Sequence, residues 1–172
     1  AWHKSAYPEK AMQEVQALLT AEPHDPYFLE LEGQILLESG RPLEAIAPLR
    51  EAMQRSNNQP LIAVLLGHAL IASEDSTNFA EAEQVLRNAV ARDRENPFAW
   101  YQLGVVYEQR GDTARAALAT AERYQMMGND MLALRSADTA MQGLKEGSLD
   151  WLRAQDIAMV SRTAVESRKK RR

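Results

Sequence analysis

The chain has no cysteine among its 172 residues, so it forms no disulfide and offers no thiolate as nucleophile or metal ligand. It also has no apolar run that approaches the roughly 20 residues of a membrane-spanning helix. The formal net charge is −4, whereas phosphate binding usually needs a basic surface. The sequence therefore excludes thiol chemistry and a helical membrane span, and it disfavours nucleic acid as a partner.

Common catalytic motifs are missing as well. HExxH, G-x-S-x-G, the P-loop and G-x-G-x-x-G do not occur. His3, His24 and His68 lie at separations that match no local zinc motif. Most carboxylates fall on polar helix faces, and Glu81 and Glu83 open a helix, where they favour its dipole. We therefore predict no catalytic residue, no metal site and no cofactor in this chain.

A repeated unit is present, and its clearest copy lies at residues 96–116. The residues that define its pattern are Trp100, Leu103, Gly104, Tyr107 and Ala116. Their spacing, W-x2-L-G-x2-Y…A, is that of the tetratricopeptide repeat, a helix–turn–helix of about 34 residues. Gly104 has no side chain, which predicts close approach of a neighbouring helix. Gly111 and Asp112 are predicted to end the first helix and start the second.

Further copies of the pattern extend through the chain. Leu29 and Ala63 lie one repeat apart, and Pro26 and Pro60 mark helix starts. We predict a single domain with a truncated first repeat at 1–25, repeats at 26–59, 60–96 and 97–128, a C-terminal hairpin and cap at 129–166, and a basic tail at 167–172. The repeat at 60–96 has the longer inter-helix turn.

The predicted fold is all-α, a right-handed superhelical solenoid of tetratricopeptide type with about nine helices and a C-terminal capping helix. In the cap, Trp151, Leu152 and Ile157 are expected to point inward, and Arg153, Gln155 and Asp156 to face water. Trp100 is expected to be the largest single contributor to stability, so that Trp100→Ala costs about 3–5 kcal/mol.

A binding groove is the predicted functional surface, because the first helix of each stacked repeat lines the concave side. The positions offset from the core stripe are Tyr27, Glu30, Gln34, Glu38, Val64, His68, Ile71, Tyr101, Gln102, Val105 and Glu108. This set contains no lysine or arginine, which argues against a clamp for a peptide's terminal carboxylate. In the alternative interpretation, Val64, Ile71 and Val105 pack against a neighbouring helix, and His68 is an ordinary groove side chain.

Three longer stretches resemble one family. They are DPYFLELEGQILLESGRPLEAIAPLREA, NPFAWYQLGVVYEQRGD and EGSLDWLRAQDI. Together they resemble the C-terminal tetratricopeptide domain of bacterial periplasmic zinc metalloproteases related to the β-barrel assembly-enhancing protease. The resemblance spans about Trp2 to Ile157. The family's HExxH domain is absent from this sequence, so no catalytic or zinc residue is carried over.

The resemblance implies a non-catalytic module in the periplasm. Its expected partners are its own metalloprotease domain and outer-membrane β-barrel proteins or their assembly machinery, and zinc is expected only in the missing catalytic domain. The chain begins at Ala1, and we interpret it as an excised domain. Two alternatives stay open: a stand-alone scaffold or co-chaperone that binds a peptide in its groove, and a solenoid that self-associates through the apolar edge of its truncated first repeat. The basic tail at Arg168 to Arg172 has no family counterpart that we can interpret.

Overall fold

The structure is a computed structural model that describes residues 8–170. Within that range it contains nine α-helices, a short 3-10 helix at Ser76–Asn78 and no strand. The α-helices are α1 (Pro8–Ala21), α2 (Pro26–Glu38), α3 (Pro42–Arg55), α4 (Pro60–Ala72), α5 (Phe79–Arg92), α6 (Pro97–Gln109), α7 (Thr113–Met126), α8 (Asp130–Gly143) and α9 (Leu149–Lys170). The predicted all-α repeat fold is confirmed.

Helix starts follow from short local signals. Proline occupies the first turn of α2, α3, α4 and α6, where its missing N–H costs nothing. The Asp25 side chain accepts hydrogen bonds from the Tyr27 and Phe28 backbone N–H groups and so caps α2. Asn96 caps α6 in the same way. The predicted helix starts at Pro26 and Pro60 are therefore confirmed.

Turns between the helices also match the sequence. Gly111 has φ +78°, a left-handed conformation that suits glycine, and Asp112 then caps α7 by accepting from the Arg115 N–H. The longer turn between α4 and α5 folds into the 3-10 helix at Ser76–Asn78, which Asp75 caps through the Thr77 N–H. The inserted residues therefore form a structured turn and leave the helices on either side intact.

Helices group into two compact units, Ala1–Arg92 and Asp93–Arg172, called unit 1 and unit 2 below. In unit 1, α2 packs on α3, α3 on α4 and α4 on α5, while α1 packs on α2. In unit 2, α6 packs on α7, α7 on α8 and α8 on α9, and α7 also touches α9. Each unit is therefore a run of antiparallel helical hairpins.

Repeat glycines allow close packing in unit 1. A Cβ atom added to Gly33 would lie 2.3 Å from the Leu49 Cγ, and one added to Gly67 would lie 2.6 Å from the Leu86 Cγ. Gly104 differs, because the nearest side-chain atom would be the Ala119 Cβ at 3.6 Å. The position equivalent to Leu49 is Thr120 in this repeat. The Ala116 backbone oxygen of α7 would lie 3.7 Å from the added Cβ, so the neighbouring helix approaches Gly104 closely as expected, but no side chain would overlap the methyl group.

Trp100 is less buried than expected. It lies at the surface of unit 2, half-buried, and its Nε1–H donates to the Arg94 carbonyl oxygen at 2.9 Å. Leu103 and Tyr107, by contrast, are 2% and 7% exposed. Because the loss of 3–5 kcal/mol predicted for Trp100→Ala assumes full burial, we expect a smaller cost.

The capping helix α9 buries a stripe at helical spacing, formed by Ala154, Ile157, Ala158 and Ser161. Ile157 is buried as predicted, and Trp151 is half-buried. The prediction that Leu152 points inward is wrong, since Leu152 is 43% exposed. Its position falls outside the buried stripe.

The prediction for Arg153 in the capping helix is also wrong. The sequence predicts that Arg153 faces water with Gln155 and Asp156, and those two are exposed. Arg153 instead lies half-buried and donates two hydrogen bonds to Glu122 of α7, from Nε to Oε1 at 2.6 Å and from Nη2 to Oε2 at 2.7 Å. Glu122 is 1% exposed, so this residue needs a cation beside it.

Predictions about residues 1–7 and 171–172, which include the truncated first helix and the end of the basic tail, lie outside the described residues. Among residues 8–170, no helix has the length and apolar character needed to cross a membrane.

Candidate functional site

On α2, the predicted groove residues form a polar face with one exposed ring. Tyr27 is 62% exposed. Glu30 and Gln34 are half-buried, Glu38 is exposed, and the Gln34 Nε2 donates to the Glu38 Oε1 at 3.1 Å. Burial raises the pKa of Glu30 above its ordinary value. The face of α2 therefore carries an exposed tyrosine, with one carboxylate about one turn and another about three turns further along the helix.

On α4, the three predicted residues are less accessible. His68 and Ile71 are half-buried, and Val64 is only 4% exposed. Val64 thus belongs to the core, in agreement with the alternative interpretation and not with a groove position. Burial lowers the pKa of His68, so the neutral imidazole is favoured. Because α4 also contacts α2, His68 lies in the same unit as Tyr27.

On α6, Tyr101 is 47% exposed, Glu108 is exposed and Val105 is half-buried. The prediction for Gln102 is wrong, because Gln102 is 3% exposed and lies in the core. One step along a helix turns a side chain by about 100°, which carries Gln102 away from the face of Tyr101 to the buried stripe of Leu103 and Val106. Both amide atoms of its side chain lack a hydrogen-bond partner among the described residues.

A cation that the sequence analysis left out of the groove lies over Tyr101. The guanidinium carbon of Arg123, from the last turn of α7, is 4.8 Å from the Tyr101 ring centroid and 5.9 Å from that of Tyr124. Phe98 stacks beside Tyr101, with centroids 6.3 Å apart and planes inclined by 21°. These four residues, Phe98, Tyr101, Arg123 and Tyr124, are called the aromatic–arginine cluster below.

The cluster corrects one conclusion from the sequence. The predicted surface lacks lysine and arginine because it consists of first-helix residues alone, whereas the second helix α7 supplies Arg123. A signal was available: Arg123 and Thr120 depart from the small or apolar residues that the repeat places in its second helix. Departures from a local rule are expected where a residue has a function.

A metal site is not visible in the part of the chain that the structure describes. Between residues 8 and 170, no group of three or more His, Asp or Glu side chains could hold a metal ion. Zinc in a separate catalytic domain stays a prediction.

Stacked antiparallel hairpins with exposed first-helix faces define a helical-repeat protein of the protein-binding class. Comparison with known families gives the particular family. The tetratricopeptide repeat family matches residues 8–60 and 67–131, so the chain belongs to that family. Tetratricopeptide domains are protein-interaction modules, and they are typically non-catalytic.

One curated relative is the β-barrel assembly-enhancing protease of Yersinia pestis. It is 26% identical over 145 residues, which cover 84% of this chain and 29% of that protein. The chain therefore spans less than a third of this relative's length.

Solved structures show the same fold. A crystal structure of MamA has a TM-score of 0.68 at 20% identity, with 97% of this chain and 94% of that chain covered. MamA from Desulfovibrio magneticus RS-1 also scores 0.68, at 17% identity, with 95% and 89% covered. A thermophilic tetratricopeptide protein of Thermus thermophilus scores 0.56 at 19% identity, with 92% and 94% covered. At these identities the likeness is one of fold alone.

Proposed function

We propose that this chain is the non-catalytic interaction module of a periplasmic zinc metalloprotease, packing on the protease domain and engaging outer-membrane β-barrel proteins or their assembly machinery. The observation that carries the proposal is the likeness to the β-barrel assembly-enhancing protease over 84% of the chain. Catalysis then belongs to a separate HExxH domain, and this chain contributes contacts.

Surface chemistry supports a protein partner. Tyr27, Phe98 and Tyr101 are 62%, 45% and 47% exposed, and tyrosine and phenylalanine are enriched in protein interfaces. Glu38 and Glu108 are exposed on the same helices as Tyr27 and Tyr101. An exposed ring and an exposed carboxylate on the same helix offer both apolar contact area and charge to a partner chain. We assign recognition to these faces of α2 and α6, with His68 of α4 beside the former.

The proposal is tested by calorimetric titration of the chain with the matching metalloprotease domain and with unfolded outer-membrane β-barrel protein. We expect Tyr101→Ala and Glu108→Lys each to weaken at least one of these complexes about tenfold, since truncation of an interface anchor typically costs above 1 kcal/mol. Glu14→Lys on α1 is the matched control, because it reverses the charge of another exposed glutamate. Wild-type affinity of all variants for all partners would refute the assignment of these faces.

A stand-alone tetratricopeptide scaffold is the second candidate. It accounts for the tetratricopeptide match at residues 8–60 and 67–131 without a protease domain. The coding sequence upstream of Ala1 separates the candidates. An HExxH motif there supports the protease module, and an open reading frame without one supports the scaffold.

A further inference from the structure

Arg123 is a feature of unit 2 that the repeat fold does not require. The ordinary residue in this part of a second helix is small or apolar, yet the guanidinium carbon of Arg123 lies 4.8 Å from the Tyr101 ring centroid and 5.9 Å from that of Tyr124. Within residues 8–170 it makes no ion pair with a carboxylate. Other arginines of unit 2 do so, such as Arg115 with Asp150 and Arg153 with Glu122.

The Tyr101 ring holds the guanidinium of Arg123, which is half-buried and donates no hydrogen bond to another residue within 8–170. A guanidinium that lies over an aromatic ring uses its face, while its N–H donors point outward in the plane. These donors match a carboxylate, to which arginine binds through two parallel hydrogen bonds. Holding the side chain in place beforehand also reduces the entropy that a ligand must overcome. Arg123 is therefore a prepared carboxylate-binding group.

Neighbouring residues on α6 extend the candidate site along the helix axis, with rings at one end and a carboxylate at the other. Phe98 lies one turn before Tyr101, and Glu108 lies two turns after it, on the same side of the helix. At 1.5 Å per residue, Tyr101 and Glu108 are about 10 Å apart along the axis. An extended peptide spans that distance in about three residues. Val105, half-buried between them, provides an apolar floor.

We infer that the aromatic–arginine cluster and Glu108 bind a short protein segment in which an aromatic side chain and an adjacent carboxylate are followed, about three residues on, by a cationic side chain. The aromatic side chain contacts Phe98, the carboxylate pairs with Arg123 and the cation pairs with Glu108. The inference rests on the protein-interaction role proposed above, without requiring a protease as the source of the segment.

Charge favours a peptide over other anionic ligands. A membrane surface or a nucleic acid presents many like charges, and the chain as a whole has a net charge of −4. Glu108, on the same face as the cluster, repels a continuous row of phosphates. A peptide can place an anion at Arg123 and a cation at Glu108, so that each of its charges meets the opposite charge on the surface.

The test uses the full chain and an acetylated, amidated peptide of sequence GFDSGKG, with GFNSGKG and GFDSGQG as matched peptides, in a chemical-shift titration. We expect the wild-type chain to bind GFDSGKG with at least tenfold lower Kd than GFNSGKG. Arg123→Gln should abolish this preference, and Glu108→Gln should abolish the preference for lysine over glutamine. Arg87→Gln, on α5 of unit 1, is the control and should change neither.

Several outcomes overturn the inference: no peptide binds, the wild-type chain does not distinguish the aspartate and asparagine peptides, or Arg123→Gln retains the preference. Vesicles of phosphatidylserine and phosphatidylcholine that bind the chain through Arg123, without peptide binding, would assign the site to a lipid surface instead. Far-UV circular dichroism checks that Arg123→Gln is folded. If it is not folded, the inference is decided by two results: the preference of the wild-type chain for the aspartate over the asparagine peptide, and the effect of Glu108→Gln on the preference for lysine. Because no protease domain is present, failure here leaves the metalloprotease proposal standing, and the reverse also holds.

Discussion

At the scale of single residues, three glycines occupy the same repeat position but differ in their surroundings. A methyl group at Gly33 or Gly67 would overlap Leu49 or Leu86, whereas at Gly104 it would meet only ordinary contacts. The difference arises because Thr120 replaces the leucine in the last of these repeats. We therefore expect the same substitution to have opposite effects at equivalent positions.

The first prediction follows from these distances. Gly67→Ala should lower the free energy of unfolding in urea by about 1–3 kcal/mol through overpacking. Gly104→Ala should be neutral or raise it by up to about 1 kcal/mol, because alanine favours the helix. A Thr120→Leu background should make Gly104→Ala costly. Equal effects of the two glycine substitutions in the wild-type background would contradict the packing described here.

Glu32 gives a prediction about pH. It stands where the repeat pattern has leucine, and burial raises its pKa above the ordinary value of 4.5. The folded state therefore disfavours the ionised carboxylate, which lowers stability above the raised pKa. This cost disappears as pH falls from the raised pKa towards 4.5. Glu32→Gln should thus stabilise the chain at pH 7, and by a shrinking amount as pH falls through that window.

Urea unfolding at several pH values measures this effect. Glu14→Gln is the control, because Glu14 is exposed on α1. If Glu32→Gln changed stability equally at pH 7 and at pH 4, desolvation of the carboxylate would not be the cause.

At the scale of helices, α7 and α9 are joined by a buried ion pair. Glu122 has 2% of its side chain exposed and Arg153 has 35%. Contact with Glu122 raises the pKa of Arg153, so the guanidinium stays charged. Arg94 approaches Glu122 at 3.4 Å, which makes it a weaker second partner. Removal of Arg153 would leave a buried carboxylate poorly compensated.

Arg153→Met is therefore expected to cost about 3 kcal/mol in urea unfolding. The double variant Glu122→Met with Arg153→Met should recover to within about 1 kcal/mol of wild type, since replacing a whole buried pair with apolar side chains is often neutral. Arg162→Met, also on α9, removes an exposed pair with Asp138 of α8 and should cost below about 1 kcal/mol. Similar losses for Arg153→Met and Arg162→Met would contradict the role of burial.

Helix positions were readable from the sequence, because prolines, caps and glycine turns act over a few residues. Pro26, Pro60 and Gly111 were enough to place three helix boundaries correctly. The roles of Arg153 and Gln102 were not readable. From sequence alone, a charged or amide side chain is expected to face solvent. Only the packing of α7 against α9 brings Glu122 beside Arg153.

The candidate surface was predictable in part for the same reason. The exposure of Tyr27, Tyr101 and Glu108 was predictable, because it depends only on the position of each residue on its own helix. Arg123 was missed, since its contact with Tyr101 joins two helices across a turn. The repeat pattern alone predicts a groove position for Val64, although Val64 packs in the core.

At the scale of the whole molecule, family and fold point to an interaction module. The tetratricopeptide family covers most of the chain, and the exposed rings and carboxylates lie on first helices. We expect these first-helix faces, together with Arg123 of α7, to contact the partner, while the second helices α3 and α5 serve as support.

Hydrogen–deuterium exchange of the chain, alone and with the matching metalloprotease domain, tests this claim most directly. We predict that binding slows exchange in α2 and α6, around Tyr27 and Tyr101, and leaves α3 and α5 unchanged. Slower exchange confined to α3 and α5, or no change in any helix at saturating concentrations of the protease domain, would contradict the account.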